Sequence, residues 1–115
     1  MKFLQSERFF NNAFFALVEY FIAGSNALTG NIPDFSGAND LIQVDLDYNK
    51  LRGNVPFSLL SLPNLKFLYL NNNTLTGEIP EDFGRSTSLI DLFLSNNELE
   101  GEIPNYAIPT ISKCI

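Results

Sequence analysis

Apolar residues recur along the chain in triplets that share one spacing. Val18, Phe21 and Ala23 form the first; Leu41, Val44 and Leu46 the second; Leu65, Leu68 and Leu70 the third; Leu89, Leu92 and Leu94 the fourth. The last two members of each triplet alternate with other residues, the period-two signature of a short strand with one buried face. Leu68 and Leu70 therefore point inward, and Phe67, Tyr69 and Asn71 outward.

Downstream of each triplet stands an asparagine: Asn26, Asn49, Asn73 and Asn97, separated by 23, 24 and 24 residues. Each is followed by a leucine (Leu28, Leu51, Leu75, Leu99), a glycine (Gly30, Gly53, Gly77, Gly101) and a dipeptide, Ile32-Pro33, Val55-Pro56, Ile79-Pro80 or Ile103-Pro104. The unit reads L-x-x-L-x-L-x-x-N-x-L-x-G-x-I-P. A period of about two dozen residues is the mark of a solenoid, in which each coil is closed only by its neighbours. The strands should stack in parallel along one concave surface. The G-x-I-P segment suits a bend followed by a short strand. The return on the convex side should be irregular or 3-10, being too short and broken for a long helix.

This pattern resembles the plant-type leucine-rich repeat family over about residues 18–104. The resemblance implies an α/β-type leucine-rich repeat solenoid of about four repeats, with a short parallel sheet on the concave face. The expected units are 18–40, 41–64, 65–88 and 89–104 onward. Residues 1–17 are read as a partial repeat or a cap, and 105–115 as the start of a truncated fifth repeat. In that family the repeating asparagine, here Asn26, Asn49, Asn73 and Asn97, sits in an inward turn and satisfies backbone groups of adjacent coils, as buried polar backbone requires. Family members occur as the extracellular parts of receptor-like kinases and receptor-like proteins, and as secreted inhibitors of cell-wall-degrading hydrolases. An extracellular or cell-surface location follows from the resemblance, at the plasma membrane for a receptor. The resemblance also implies a protein, peptide or small-hormone ligand, with a co-receptor as a further partner.

Composition narrows this picture. With 45 % hydrophobic and 17 % charged residues the chain is built to fold. It contains no histidine, which removes Ser-His-Asp, Cys-His and His-based zinc sites together. Glu98, Glu100 and Glu102 alternate with repeat positions on an outer, wet surface and are not read as a catalytic pair. No catalytic residue, cofactor site or metal site is expected. The net charge of −6 argues against a nucleic-acid partner, since phosphate binding needs a basic stripe. No apolar run is long enough to span a membrane. The apolar segment 13–23 behind Lys2 and Arg8 imitates a secretory signal, but Glu19 interrupts it and its Val18, Phe21 and Ala23 keep the repeat register.

The ends lack the paired cysteines of family caps. The one cysteine, Cys114, is read as a small buried hydrophobe, half of a lost cap disulfide or a reactive thiol. On this ground the chain is expected to be a fragment of a longer receptor-like protein; a remnant without function of its own is the alternative.

Outward positions on the concave face carry the candidate binding residues. By register Ile22, Asp45, Tyr69 and Phe93 form one column, and Tyr20, Gln43, Phe67 and Asp91 the next; Asp47 and Asn71 lie beside them. Exposed aromatics are typical interface anchors, though neighbouring rings also cover one another across strands. Asp45 and Asp47 could pair with a basic group or remain solvated. Asn72-Asn73-Thr74 is an N-glycosylation sequon at the edge of this face, with Asn72 as acceptor if the chain is secreted.

Overall fold

The computed structural model describes residues 18–79 and 88–101, and the backbone of 112–114. The chain winds as a parallel-strand solenoid of a few coils. Its concave sheet contains β1 (Tyr20–Ile22), β3 (Gln43–Asp45), β5 (Phe67–Tyr69), β7 (Asp91–Phe93) and β9 (Ser112–Cys114), side by side in that order. A second sheet holds β2 (Thr29–Asn31), β4 (Lys50–Gly53), β6 (Thr74–Glu78) and β8 (Glu98–Glu100). All neighbouring strands in both sheets run parallel.

The repeat supplies the core directly. Register aligns Phe21, Val44, Leu68 and Leu92 across the first sheet, and every one of them is buried. Ala23, Leu46, Leu70 and Leu94 form the next inward row, and Leu28, Leu51 and Leu75 a third, also buried; Leu99 is only partly covered. Burying each such side chain contributes ~1.5–3 kcal/mol. Because each row runs through successive coils, that gain belongs to stacking and not to any single unit.

The second sheet begins earlier in the repeat than the sequence implies. Its strands lie ahead of the Ile-Pro dipeptide instead of following the bend: β4 and β6 include both the leucine and the glycine, β2 the glycine and β8 the leucine. Glycine is needed there for two reasons that Gly53 combines. Its φ is +82°, and a Cβ would stand 2.6 Å from Oδ1 of Asn31 in the preceding coil.

The convex side differs as well. After Pro56, residues Phe57–Leu60 make one turn of α-helix, α1, which buries Leu59 and Leu60. Pro63, three residues on, prevents continuation. In the first coil Phe35 and Ala38 fill the corresponding space.

Each concave turn has a non-glycine residue in the left-handed region just before the repeat asparagine: Ser25, Tyr48, Asn72 and Asn96, with φ of 56°, 54°, 60° and 58°. Asparagine tolerates that conformation and tyrosine does not. Tyr48 is 56 % exposed, so its ring gives little packing in return. Replacing Tyr48 with Asn should stabilise the protein by about 0.5–1 kcal/mol, read as a rise in the urea midpoint; an unchanged or lower midpoint would show that the ring holds the turn.

The fifth strand lies closer in sequence than the repeat length implies. Lys113 is the register partner of Leu92, 21 residues away where earlier units step by 23 or 24. The expectations for residues 1–17, for Ile103-Pro104 and for the Cys114 side chain lie outside the described residues.

Candidate ligand-binding face

The concave face is assembled by strand register. Tyr20 pairs with Gln43, Gln43 with Phe67, and Phe67 with Asp91; Ile22 pairs with Asp45, Asp45 with Tyr69, and Tyr69 with Phe93. The Tyr69 and Phe93 rings meet at 5.0 Å with their planes tilted by 57°. That contact covers part of each ring, and both are half-buried, as is Phe67 between Gln43 and Asp91, whereas Tyr20 and Ile22 at the first strand are 57 % and 47 % exposed.

Below the face the asparagines form a ladder. Asn49 Oδ1 accepts the N–H of Asn26 at 3.2 Å and of Leu28 at 3.1 Å, both in the preceding coil. Its Nδ2 donates to the carbonyls of Ala23, Leu46 and Asp47 at 3.0, 3.1 and 3.0 Å. Asn73 accepts from Leu51 N–H at 3.0 Å and donates back to Leu46 O at 3.0 Å. Asn97 accepts from Leu75 N–H and donates to Leu70 O, at 3.0 and 2.9 Å. Asn26 is exposed and donates to Ala23 O and Gly24 O within its own turn. One amide thus ties two coils together and fixes the turn that ends each concave strand.

Asp45 and Asp47 lie one step apart on this face. The Asp47 N–H donates to Asp45 Oδ1 at 3.2 Å. Both carboxylates lean over Gly24: a Cβ at that position would collide with the Asp47 carboxylate and come within 3.0 Å of Asp45 Oδ1. Partial burial first, then the hydrogen bond and the charge of Asp45, push the Asp47 carboxyl up to about 6. Burial also raises the Tyr69 hydroxyl, together with the charges of Asp91 and Asp45 and a hydrogen bond to Asp91.

A raised acid favours the folded state while it is protonated. That contribution is complete below the ordinary carboxylate range and is lost as pH rises through about 6. Asp47→Asn should accordingly raise stability at pH 7.5 by about 1 kcal/mol once solvent screening is allowed for, and leave it nearly unchanged at pH 4. Equal effects at both pH values in thermal melts would show that the Asp47 carboxyl is not raised.

The family model for the Leucine Rich Repeat matches residues 64–86 and 88–107. Among solved structures, the plant peptide hormone receptor RGFR1 in complex with RGF2 is 38 % identical with a TM-score of 0.80, over 87 % of this chain and 16 % of that one. The Arabidopsis receptor kinase HAESA, in complex with the peptide hormone IDA and the co-receptor SERK1, is 30 % identical with a TM-score of 0.78, over 88 % of this chain and 18 % of that one. The chain belongs to the leucine-rich repeat family.

These leucine-rich repeats are of the plant type, and they span less than a fifth of the length of either receptor. The same coil geometry also serves a plant ice-binding protein, 40 % identical with a TM-score of 0.74, over 81 % of this chain and 30 % of that one. No curated protein sequence matches the chain. Among the described residues no helix is long and apolar enough to cross a membrane.

Within the repeat frame, the sequon residues are already engaged. Asn72 is half-buried, its Oδ1 accepts from Asn71 Nδ2 at 3.0 Å, and Thr74 Oγ1 donates to Leu51 O at 2.8 Å. Asn71 Oδ1 is buried without a hydrogen-bond partner among the described residues. Sequence reading passed over Gly24 as part of the acidic cluster. Its signal was available: Gly24 occupies the place in the first unit that Asp47 takes in the second.

Proposed function

We propose that this chain is a ligand-binding module that takes a protein or peptide on its concave face, as part of signal perception outside the cell. It carries no catalysis in this reading. The observation that carries it is the pair of columns on four parallel strands, in which Ile22, Asp45, Tyr69 and Phe93 stand beside Tyr20, Gln43, Phe67 and Asp91. Solvent-facing aromatics flanked by carboxylates form a contact surface with anchors and orienting charges. The similar receptors RGFR1 and HAESA, whose structures hold peptide hormones, and the SERK1 co-receptor beside HAESA, favour a peptide partner with a second protein nearby. Glycosylation at Asn72 belongs to the same reading, since it requires passage through the secretory route.

The test is selection of a displayed peptide library on the immobilised protein, followed by titration of the selected peptide. Joint replacement of Tyr69 and Phe93 by Ala should weaken binding about 30-fold, the ~2 kcal/mol typical of a central aromatic anchor. Unchanged affinity with a lowered melting temperature would reduce both rings to a cross-strand pair.

A further inference from the structure

The concave face holds Asp45, Asp47 and Asp91, while β1, β3, β5 and β7 contain no Lys or Arg. Lys66 stands one residue ahead of β5, outside the two columns. The carboxylates are not scattered over this face. Asp45 is the register partner of Tyr69, and Asp91 precedes Phe93 by two residues on the same side of β7. Tyr69 and Phe93 form an aromatic shelf bent by the 57° tilt between their rings, and Asp91 acts on the Tyr69 hydroxyl. An aromatic shelf with one acidic group on the neighbouring strand β3 and another on β7 suits one chemical group better than others. A guanidinium is planar and weakly hydrated, so it can lie on a ring and still offer its edge to a carboxylate. A lysine ammonium, compact and strongly hydrated, does the first poorly and cannot do the second in bidentate fashion.

We propose that the concave face docks an extended peptide segment through an arginine, whose guanidinium lies on the Tyr69–Phe93 shelf and pairs with Asp45 and Asp91. This rests on the peptide-binding reading above and specifies its ligand. Both rings are half-buried, so part of each remains open to a ligand. With only carboxylates as charged groups on β1, β3, β5 and β7, this part of the face also rejects acidic segments by repulsion, giving selection by sign as well as by shape.

The experiment is an amide NMR titration of the isotope-labelled protein with three blocked dipeptides: acetyl-Arg-Phe-amide, acetyl-Lys-Phe-amide and acetyl-citrulline-Phe-amide. The arginine probe should give saturable shifts at residues 43–45, 67–69 and 91–93. The lysine probe should bind several-fold more weakly, and citrulline, isosteric but uncharged, roughly tenfold or more weakly. The joint variant Asp45→Asn with Asp91→Asn should abolish the preference for arginine over citrulline. Glu98→Gln with Glu100→Gln, which changes net charge equally but on β8, should preserve it. Equal shifts from arginine and citrulline would overturn the arginine site while leaving a peptide-binding face intact. Saturable shifts confined to other surfaces, an equal loss of preference in the β8 control, or no saturable shift with any probe would overturn it too. Citrulline keeps the test decisive even if the aspartate variant misfolds, which loss of amide dispersion would reveal. Failure of the wider reading is visible separately, as a library selection that returns no peptide dependent on the concave face.

Discussion

Asn49→Ala should destabilise the protein by about 3 kcal/mol, the largest loss in the asparagine ladder. The reason lies in which partners are replaceable. Leu46 O receives both Asn49 and Asn73, and Ala23 O receives both Asn26 and Asn49, so each carbonyl keeps a donor when Asn49 is truncated. The N–H groups have no such cover. Asn49 Oδ1 takes the N–H of Leu28, whose side chain is in the core, and also that of Asn26. A buried donor left unmade costs ~1–3 kcal/mol. Asn73→Ala orphans one inner donor, that of Leu51, and should cost about 2 kcal/mol. Asn26→Ala, at an exposed turn, should cost under about 1 kcal/mol. Asn49→Asp separates the two halves of the amide: it keeps the acceptor but loses three donor contacts and places a charge among carbonyls, so it should be at least as damaging as Ala at pH 7. Urea unfolding of the series measures the order. Equal losses at all three positions would mean that the amides act as spacers and not as ties between coils.

Much of the fold is legible in the spacing because the solenoid makes tertiary structure nearly one-dimensional. A leucine that recurs after a full coil must face the same interior, so Leu46, Leu70 and Leu94 could be placed without coordinates. The same logic fixes which side chains line the concave face. It does not fix how deeply they sit. Tyr69 and Phe93 are half-buried because their rings on adjacent strands cover one another, and the Asp47 carboxyl is raised because neighbours desolvate it. Both effects depend on lateral contacts that a list of outward positions does not contain. Tyr48 escaped for another reason: its left-handed backbone is imposed by the turn, against the preference of the residue itself. The convex side was least legible, since its buried positions keep the spacing but change residue type, Phe35 and Ala38 in one coil becoming Leu59 and Leu62 in the next. The helical turn of that next coil also buries Leu60.

Phe35→Ala should cost about 3–5 kcal/mol, as expected for emptying a fully enclosed aromatic site. Phe35 has 0 % exposure and meets Phe21 edge-on, with centroids 5.6 Å apart and planes at 73°. Its position is set locally. Asp34 Oδ1 accepts the Ser36 N–H at 2.8 Å, and the Ala38 N–H donates to Phe35 O at 3.0 Å, a tight turn that drives the ring inward. The Phe21 ring belongs to β1, so Phe35 spans the coil from convex to concave side, where shorter side chains must otherwise meet in the middle. Phe35→Leu keeps most of the volume and should cost about 1–1.5 kcal/mol, which isolates the cavity from the edge-on ring contact. Phe57, a convex phenylalanine that is 43 % exposed, provides the reference: Phe57→Ala should stay within about 0.5 kcal/mol. If Phe35→Ala proves no worse than Phe57→Ala in calorimetric melts, the convex layer contributes nothing to cohesion, and the stack is held by its concave leucines and asparagines alone.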